Sequence, residues 1–292
     1  MGRLHALRRE LRSPGPLIAA AFLLLLIVAA LLAPWLAPHD PLGQSSDRLV
    51  PPGGSHLLGT DQFGRDVFSR LVTGARVDLL VSFGAAGLAA LIGVTVGLVG
   101  GTSRGAVRML TMRGIEVILA FPPIVFALLV VTLFGPGAFT LVITMGILFA
   151  PSFARIVYGE VLTIDRLEYV QASRVIGSSR RRILGRVILP GVLPPVLVQL
   201  SLTVATAMLL SSGLSYLGLG VVPPTPSWGG MIAEGQALMM RSPLLLLFSS
   251  GVVVATVLSF SVLADALERA LDPRRGRRGR RPSTPVKPLS VS

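Results

Sequence analysis

Six long apolar stretches, separated by short polar segments, dominate this chain. They cover residues 17–37, 77–101, 114–134, 138–158, 191–222 and 243–264. Each is at least as long as the ~20 residues that a helix needs to cross a hydrocarbon core about 30 Å thick. The pattern therefore predicts an all-α integral membrane protein with six transmembrane helices.

Details of these stretches add local expectations. The first has 21 apolar residues, longer than the ~7–15 of a cleaved signal peptide, which favours an uncleaved span over that alternative. Gly93 and Gly97 have the spacing that lets two helix backbones approach closely in lipid. Pro122 and Pro123 predict a kink in the third span. The fifth stretch exceeds one perpendicular span, so part of it should tilt or leave the membrane.

Two polar segments carry turn and helix signals. Residues 58–76 place apolar Val67, Phe68, Leu71 and Val72 at helical spacing, which fits either a short interfacial helix or a plain connecting loop. Residues 223–235 are rich in proline and glycine and contain Trp228. We expect a rigid turn there, with the tryptophan at the membrane interface.

The distribution of basic residues predicts the orientation. Of 27 arginine and lysine residues, 21 fall in residues 1–16, 102–113, 159–190 and 265–292, whereas five fall in the alternate segments. Because basic residues accumulate in cytoplasmic segments, we expect a cell-membrane protein with both termini in the cytoplasm and residues 38–76 outside. The tails are then 1–16 and 265–292, the latter unstructured and near anionic lipid, and residues 77–264 form a five-helix domain.

Composition agrees with this class. Hydrophobic residues make up 52% and charged residues 14% of the chain, against about a quarter charged in soluble domains. The net charge of +13 is explained by topology, so no nucleic-acid partner is expected. The chain has no cysteine, which excludes a disulfide or a thiol nucleophile.

The polar residues argue against chemistry within this chain. The charged residues of the apolar stretches lie near predicted span ends: Asp78, Glu116, Arg155 and, just beyond the last span, Asp265. A proton-coupled carrier needs a titrating group deep in the membrane. His5, His39 and His56 show no metal-ligand spacing, and the only lysine is Lys287, so a phosphate-binding loop cannot exist. We predict no catalytic, cofactor or metal site, and any ATP must be hydrolysed by another polypeptide.

An arginine-rich polar island occupies residues 166–190 between the fourth and fifth apolar stretches. Gly177 permits a sharp turn, and Ser178 or Ser179 could cap a second helix. Two short helices would form a cytosolic knob able to dock another protein. An ordinary basic loop remains the alternative.

This island resembles the EAA loop of ABC-importer permeases. That loop reads Glu-Ala-Ala, three residues, Gly, nine residues, Ile-x-Leu-Pro; here Gln171-Ala172-Ser173, Gly177 and Val187-x-Leu189-Pro190 match it. The departures are Gln171 for Glu, Ser173 for Ala and Val187 for Ile, so Glu168 is a candidate for the missing charge.

Further stretches resemble the dipeptide/oligopeptide/nickel permease family, and in particular its C-type subunit with an extra N-terminal span. They are Leu58-Gly59-Thr60-Asp61 with Gly64-Arg65-Asp66-Val67-Phe68-Ser69-Arg70, then Leu214-Ser215-Tyr216-Leu217-Gly218-Leu219-Gly220, and Pro223-Pro224-Thr225-Pro226-Ser227-Trp228-Gly229. The resemblance covers roughly residues 15–272.

The resemblance implies a type I ABC-importer permease that imports di- or oligopeptides. A homologous second permease would complete the pathway, two ATPase subunits would bind ATP and Mg, and an extracytoplasmic binding protein would deliver the peptide. The expected coupling residues are Glu168, Gln171, Ala172, Ser173, Gly177, Leu189 and Pro190. Expected outer contacts are Asp61, Arg65, Asp66, Trp228 and Glu234, with packing against the second permease as the alternative.

Other functions remain open from the residues alone. The same machinery could import nickel, glutathione or another small solute. A secondary carrier would need inverted halves and a mid-membrane ion site, neither of which is visible. A non-transporting scaffold would have no ATPase partner.

Overall fold

A computed structural model describes residues 13–271. The regular secondary structure of this part is helical, apart from two isolated bridges between residues 53 and 66, and residues 37–66 form the longest stretch without a helix. The predicted basic tail lies largely outside the described residues. The helices are α1 Pro14–Leu31, α2 Ala33–Leu36, α3 Val67–Thr102, α4 Ala106–Leu119, α5 Pro123–Phe134, α6 Ala138–Asp165, α7 Glu168–Val175, α8 Arg180–Ile183, α9 Leu189–Tyr216, α10 Trp228–Ala237 and α11 Pro243–Leu271.

Five helical segments of the described chain are long and apolar enough to cross a membrane: α1, α3, α6, the continuous run Arg180–Tyr216, and α11. The pair α4 and α5 passes the same test together, but it is bent by 88° between Leu119 and Pro123. Counting that pair as one span gives six. Pro122 and Pro123 lie at the bend, as proline's missing N–H and its clash with the preceding turn require.

The most extensive helix pair is α3 against α6, and glycine makes it possible. A Cβ built on Gly93 would lie 2.3 Å from the Ala150 carbonyl oxygen, and one on Gly97 would lie 2.7 Å from the Ala154 carbonyl oxygen. Any larger residue would push the two backbones apart. The close approach predicted from the Gly93 and Gly97 spacing is therefore confirmed.

Three apolar clusters join the helices, and one of them packs α5 against α3, α6 and α9 around Ala127 and Met145. The other two bear on the site. The first joins α1, α3, α9, α10 and α11 around Met208, Trp228 and Met231. The second joins α6, α7 and the start of α9 around Val161, Val170 and Val192. The short helix α7 is thus part of a core shared with two long helices.

The expectation for residues 58–76, a short interfacial helix or a plain loop, was wrong in detail. These residues contain no separate helix, because Asp66 caps α3 at Val67 and the helix runs unbroken from there. Asp78 therefore lies about three turns inside α3. Trp228 is fully buried in the protein at the start of a short helix, and its position at the membrane interface stays a prediction.

The second helix of the expected cytosolic knob also differs. A π-helical turn, Leu184–Ile188, joins α8 directly to α9, so the two form one continuous helical run. Pro190, Pro194 and Pro195 cannot donate backbone hydrogen bonds in this region, and a wider turn is a common way to accommodate such gaps. Of the two short helices expected in the cytosolic knob, only α7 is separate from the long helices.

Candidate functional site

The helix α7 sits between two sharp changes of direction. Leu167 is extended before it, and Gly177 adopts φ +83° after it. The Gly177 N–H donates to Arg174 O at 3.0 Å and the Ser178 N–H to Ser173 O at 3.0 Å. This pair of bonds is a Schellman motif, which closes a helix and requires a residue tolerant of the left-handed region. The helix α7 therefore ends just before Gly177, where the sequence predicted a sharp turn.

The two faces of α7 differ completely in exposure. Val170 is 0% exposed and packs in the second cluster, whereas Val175 and Ile176 are 88% and 84% exposed. One apolar side chain therefore anchors the helix to α6 and α9. The two apolar side chains at its end face outward.

Polar contacts tie α7 to the end of α6. Gln171 Nε2 donates to Asp165 O at 2.7 Å, which satisfies a carbonyl that a helix end leaves free. Arg174 also forms an ion pair with the Asp165 carboxylate. Gln171, where the resembling motif has glutamate, is therefore used within the chain as a hydrogen-bond donor.

The other predicted coupling residues occupy distinct places. Glu168 lies in the first turn of α7, where a carboxylate is favoured by the helix dipole. Ala172 is exposed, and Ser173 Oγ donates to Tyr169 O at 2.7 Å. Leu189 and Pro190 lie apart from α7, at the start of α9.

A cavity of about 710 Å³ lies beside α7, between α6, α9 and α11. Leu167 and Tyr169 line it from the α7 side, and most of the remaining lining is apolar. Glu160 and Glu268 are its charged lining residues. The cavity is free volume next to the junction of α7 with three long helices.

The predicted outer residues form an ion cluster with one another. Asp61 accepts from Arg65 Nε at 2.6 Å and from Arg70 Nη1. Glu234, from α10, accepts from Arg65 Nη2 at 3.1 Å and from Arg70 at 2.6 and 3.0 Å. Asp61 is 0% exposed and Arg70 3%. Two guanidinium groups and two carboxylates thus balance one another in a largely buried cluster, in which the Glu234 side chain is 23% exposed.

Asp66 connects the segment before α3 to the first turn of α3, and Trp228 connects α10 to α3. Burial acts to raise the pKa of Asp66, but hydrogen bonds from Ser69 and His56 outweigh it and hold the pKa below its ordinary value. Trp228 donates its backbone N–H to Asp78 Oδ2 at 2.7 Å and its indole N–H to Leu71 O at 2.9 Å.

These outer side chains are directed into the chain. A direct contact with a binding protein would therefore have to use their exposed neighbours, and their role as partner contacts stays a prediction. The sequence alone did not predict that Arg70 pairs with both Asp61 and Glu234. Complementary charge was the available signal, but 164 residues separate Arg70 from Glu234.

Two family models match this chain, and together they cover most of its length. Residues 89–277 match the family described as "Binding-protein-dependent transport system inner membrane component". The chain belongs to this family. It is a permease subunit of an ABC importer, a multi-pass protein of the inner membrane. Residues 5–52 of the permease also match the "N-terminal TM domain of oligopeptide transport permease C".

Relatives cover most of the permease. It is 36% identical over 267 residues to the "Di/tripeptide transport system permease protein DppC" of Pseudomonas aeruginosa, covering 89% of this chain and 88% of that protein. It is 38% identical over 269 residues to the "Glutathione transport system permease protein GsiD" of Pectobacterium atrosepticum, covering 91% and 89%. The resemblance inferred from sequence is confirmed.

Solved structures support the fold. An inward-facing structure of the MetNI methionine ABC transporter matches with a TM-score of 0.55 at 18% identity, covering 68% of the permease and 96% of that chain. An amino acid ABC transporter matches with a TM-score of 0.55 at 21% identity, covering 70% and 95%. The predicted fold class, an all-α ABC-importer permease, is confirmed.

Proposed function

We propose that the permease forms half of the translocation pathway of a di- or oligopeptide importer and couples it to separate ATPase subunits through α7. The other half is a homologous second permease. Two ATP-binding subunits hold ATP and Mg, and an extracytoplasmic binding protein delivers the peptide. The permease itself catalyses no reaction.

The observation that carries the coupling role is the division of α7 into a buried anchor and an exposed tip. Val170 is fixed in a core shared with α6 and α9, while Val175 and Ile176 present apolar surface outside it. Two neighbouring apolar side chains that are this exposed, in a segment that is otherwise polar, are typical of a surface that binds another protein. The exposed arginines Arg180, Arg181 and Arg182 of α8 follow this tip in sequence and add positive charge to the same polar segment.

The connections of α7 suit it to transmit movement. Its end is closed by the Schellman motif, and Gln171 in its middle and Arg174 in its last turn both bind Asp165 at the end of α6. A displacement of the exposed tip would therefore move α7 as a unit and act on α6 and α9. The neighbouring 710 Å³ cavity leaves room for these helices to shift, as switching between inward and outward access requires.

The proposal includes an orientation. The arginine count supports a topology with residues 159–190 and both termini in the cytoplasm and the ion cluster of Asp61, Arg65, Arg70 and Glu234 on the outer side. On this topology α7 faces the ATPase subunits, and the segment before α3 faces the compartment from which peptide arrives.

The names of the relatives favour a peptide cargo. The DppC relative is named for di/tripeptides and the GsiD relative for glutathione, itself a tripeptide derivative. Glutathione is therefore the second candidate cargo. The apolar character of the long helices fits a pathway that leaves selectivity to the binding protein.

Transport in proteoliposomes tests the proposal. The permease, purified with its partners, is reconstituted with the binding protein outside and ATP inside, and uptake of a labelled dipeptide is measured. We expect uptake that stops with a non-hydrolysable ATP analogue and is competed by unlabelled di- and tripeptides. Competition by glutathione alone would transfer the assignment to glutathione. A reconstituted, ATP-hydrolysing complex that takes up neither would contradict the peptide assignment.

A further inference from the structure

Two of the three histidines of the chain meet at the segment before α3. His39 and His56 lie 17 residues apart in sequence, and their rings stack at 4.7 Å between centroids. Both direct Nδ1 towards the same oxygen of Asp66, at 3.9 Å from His39 and 2.9 Å from His56. The spacing in sequence gives no indication of this convergence.

The donor set is one that transition metals use. One ligand atom from each of His39, His56 and Asp66 lies within 4.8 Å of the other two. A tetrahedral ion with ligands at ~2.1 Å holds them about 3.4 Å apart. His39 must therefore move inward, shortening the widest separation by up to about 1.4 Å, and the His56–Asp66 pair must open by about 0.5 Å. The His39 side chain is 42% exposed, which leaves it free to make that movement.

Hydrogen bonds outside the triad hold the carboxylate in place. Asp66 Oδ2 accepts from the Ser69 N–H at 2.8 Å and from Ser69 Oγ at 2.7 Å, which leaves Oδ1 for the histidines. The same Ser69 Oγ accepts from the His39 backbone N–H at 3.2 Å. Oriented carboxylates of this kind are typical of metal sites, where outer contacts fix the ligands.

We propose that His39, His56 and Asp66 form a binding site for a divalent transition-metal ion of the zinc class. Imidazole nitrogen and carboxylate oxygen suit zinc, cobalt and nickel better than calcium or magnesium, which prefer oxygen alone. Three protein ligands leave a further position for water or for a group from a partner. The Asp66 cap explains the contact with His56, and the hydrogen bond to Ser69 explains where the His39 backbone lies, but neither directs the His39 imidazole towards the same oxygen.

The bound ion would crosslink three segments of the chain. It would join residues near the end of α2, the loop at His56 and the first turn of α3, three points that the described chain otherwise links through hydrogen bonds. The site lies in the same segment as Asp61 and Arg65 of the ion cluster, so a bound ion would make the segment before α3 more rigid. This inference does not depend on which cargo the importer carries.

Metal titration of the intact complex tests the site. The complex is purified with a tag that contains no histidine, treated with chelator, and titrated with zinc at neutral pH, with bound metal counted by mass spectrometry. Cobalt is titrated in parallel, because its visible absorption reports coordination by imidazole. We expect one saturable ion per copy of the permease and a higher melting temperature with metal.

Two variants and one control decide the assignment. His39→Ala should weaken binding by more than the about 10–100-fold that loss of an outer contact costs. His56→Asn, which keeps a donor for Asp66, should do the same. His5→Ala, the matched control, should bind as the wild type does. Metal-free melting curves that match the wild type show that the variants fold.

Two results would overturn the proposal. One is the absence of saturable zinc binding to the wild type at millimolar zinc. The other is equal binding to His39→Ala and the wild type, which would assign the metal to another part of the complex.

Discussion

Arg70 and Glu234 form a two-point ion pair between the first turn of α3 and the short helix α10. Arg70 Nη1 lies 2.6 Å from Glu234 Oε2, and Arg70 Nη2 lies 3.0 Å from Glu234 Oε1. The parallel geometry is the strongest that a guanidinium and a carboxylate can make. It links two segments that sequence reasoning treated as separate outer surfaces.

Removing the arginine should be costly because its partners stay charged and buried. We expect Arg70→Met to lower the free energy of unfolding by about 3–5 kcal/mol, the usual cost of an uncompensated buried charge. Thermal unfolding in detergent measures this change. Arg241→Met, at an exposed arginine, should change stability by no more than about 0.5 kcal/mol. Equal losses in the two variants would contradict the importance of the cluster.

Asp78 should matter as a hydrogen-bond acceptor. Its Oδ2 accepts from Trp228 N, one of the first N–H groups of α10, which have no acceptor within their own helix. Asp78→Leu should cost about 1–3 kcal/mol by leaving that donor unpaired. Asp78→Asn retains an acceptor and should cost less. Melting temperatures of the two variants give the comparison, and the reverse order would reject this role.

Val170 should control how firmly α7 is held. Val170→Ala removes two methyl groups from a fully buried site, at a cost of about 1–3 kcal/mol, and should loosen α7 locally. We expect faster amide hydrogen exchange in residues 168–176, while α3 exchanges as before. Val175→Ala, at an 88% exposed position, is the matched control and should leave exchange unchanged.

The contact between α3 and α6 should depend on Gly93. Gly93→Ala places a Cβ 2.3 Å from the Ala150 carbonyl oxygen, so the helices must separate, at a cost of about 1–3 kcal/mol. Gly87→Ala is in the same helix and meets no atom within 4 Å. Because both changes raise helix propensity equally, their difference in melting temperature isolates the packing cost. A Gly87→Ala variant as unstable as Gly93→Ala would contradict this account.

Local sequence signals predicted the features that depend on neighbouring residues. Gly177 ends α7 because a left-handed turn needs a residue without Cβ, and Pro122 and Pro123 mark the bend between α4 and α5. The Gly93 spacing predicted a close helix contact. Each of these features depends on the backbone properties of glycine or proline at the position itself, so the residue type is enough to predict it.

Long-range partners were not predictable in the same way. The charged stretch before α3 resembled an exposed contact surface, but Arg65 turns inward and pairs with both Asp61 and Glu234. His39 and His56 are 17 residues apart, and the folded loop that brings them together has no signature in their spacing. The two N–H groups of Trp228 bind Asp78 and Leu71, partners that no local pattern indicates. Pairing across the fold depends on tertiary geometry that a periodic pattern does not encode.

On the proposed function, the exposed tip of α7 contacts an ATPase subunit. The native chain has no cysteine, so single-cysteine crosslinking needs no prior substitution. Val175→Cys, carrying a photo-crosslinker, is compared in native membranes with Ser103→Cys on the other inner loop, and adducts are identified by mass spectrometry. We predict an adduct between residue 175 and an ATP-binding subunit, and none from residue 103. No ATPase adduct at residue 175, with the complex intact, would contradict the account.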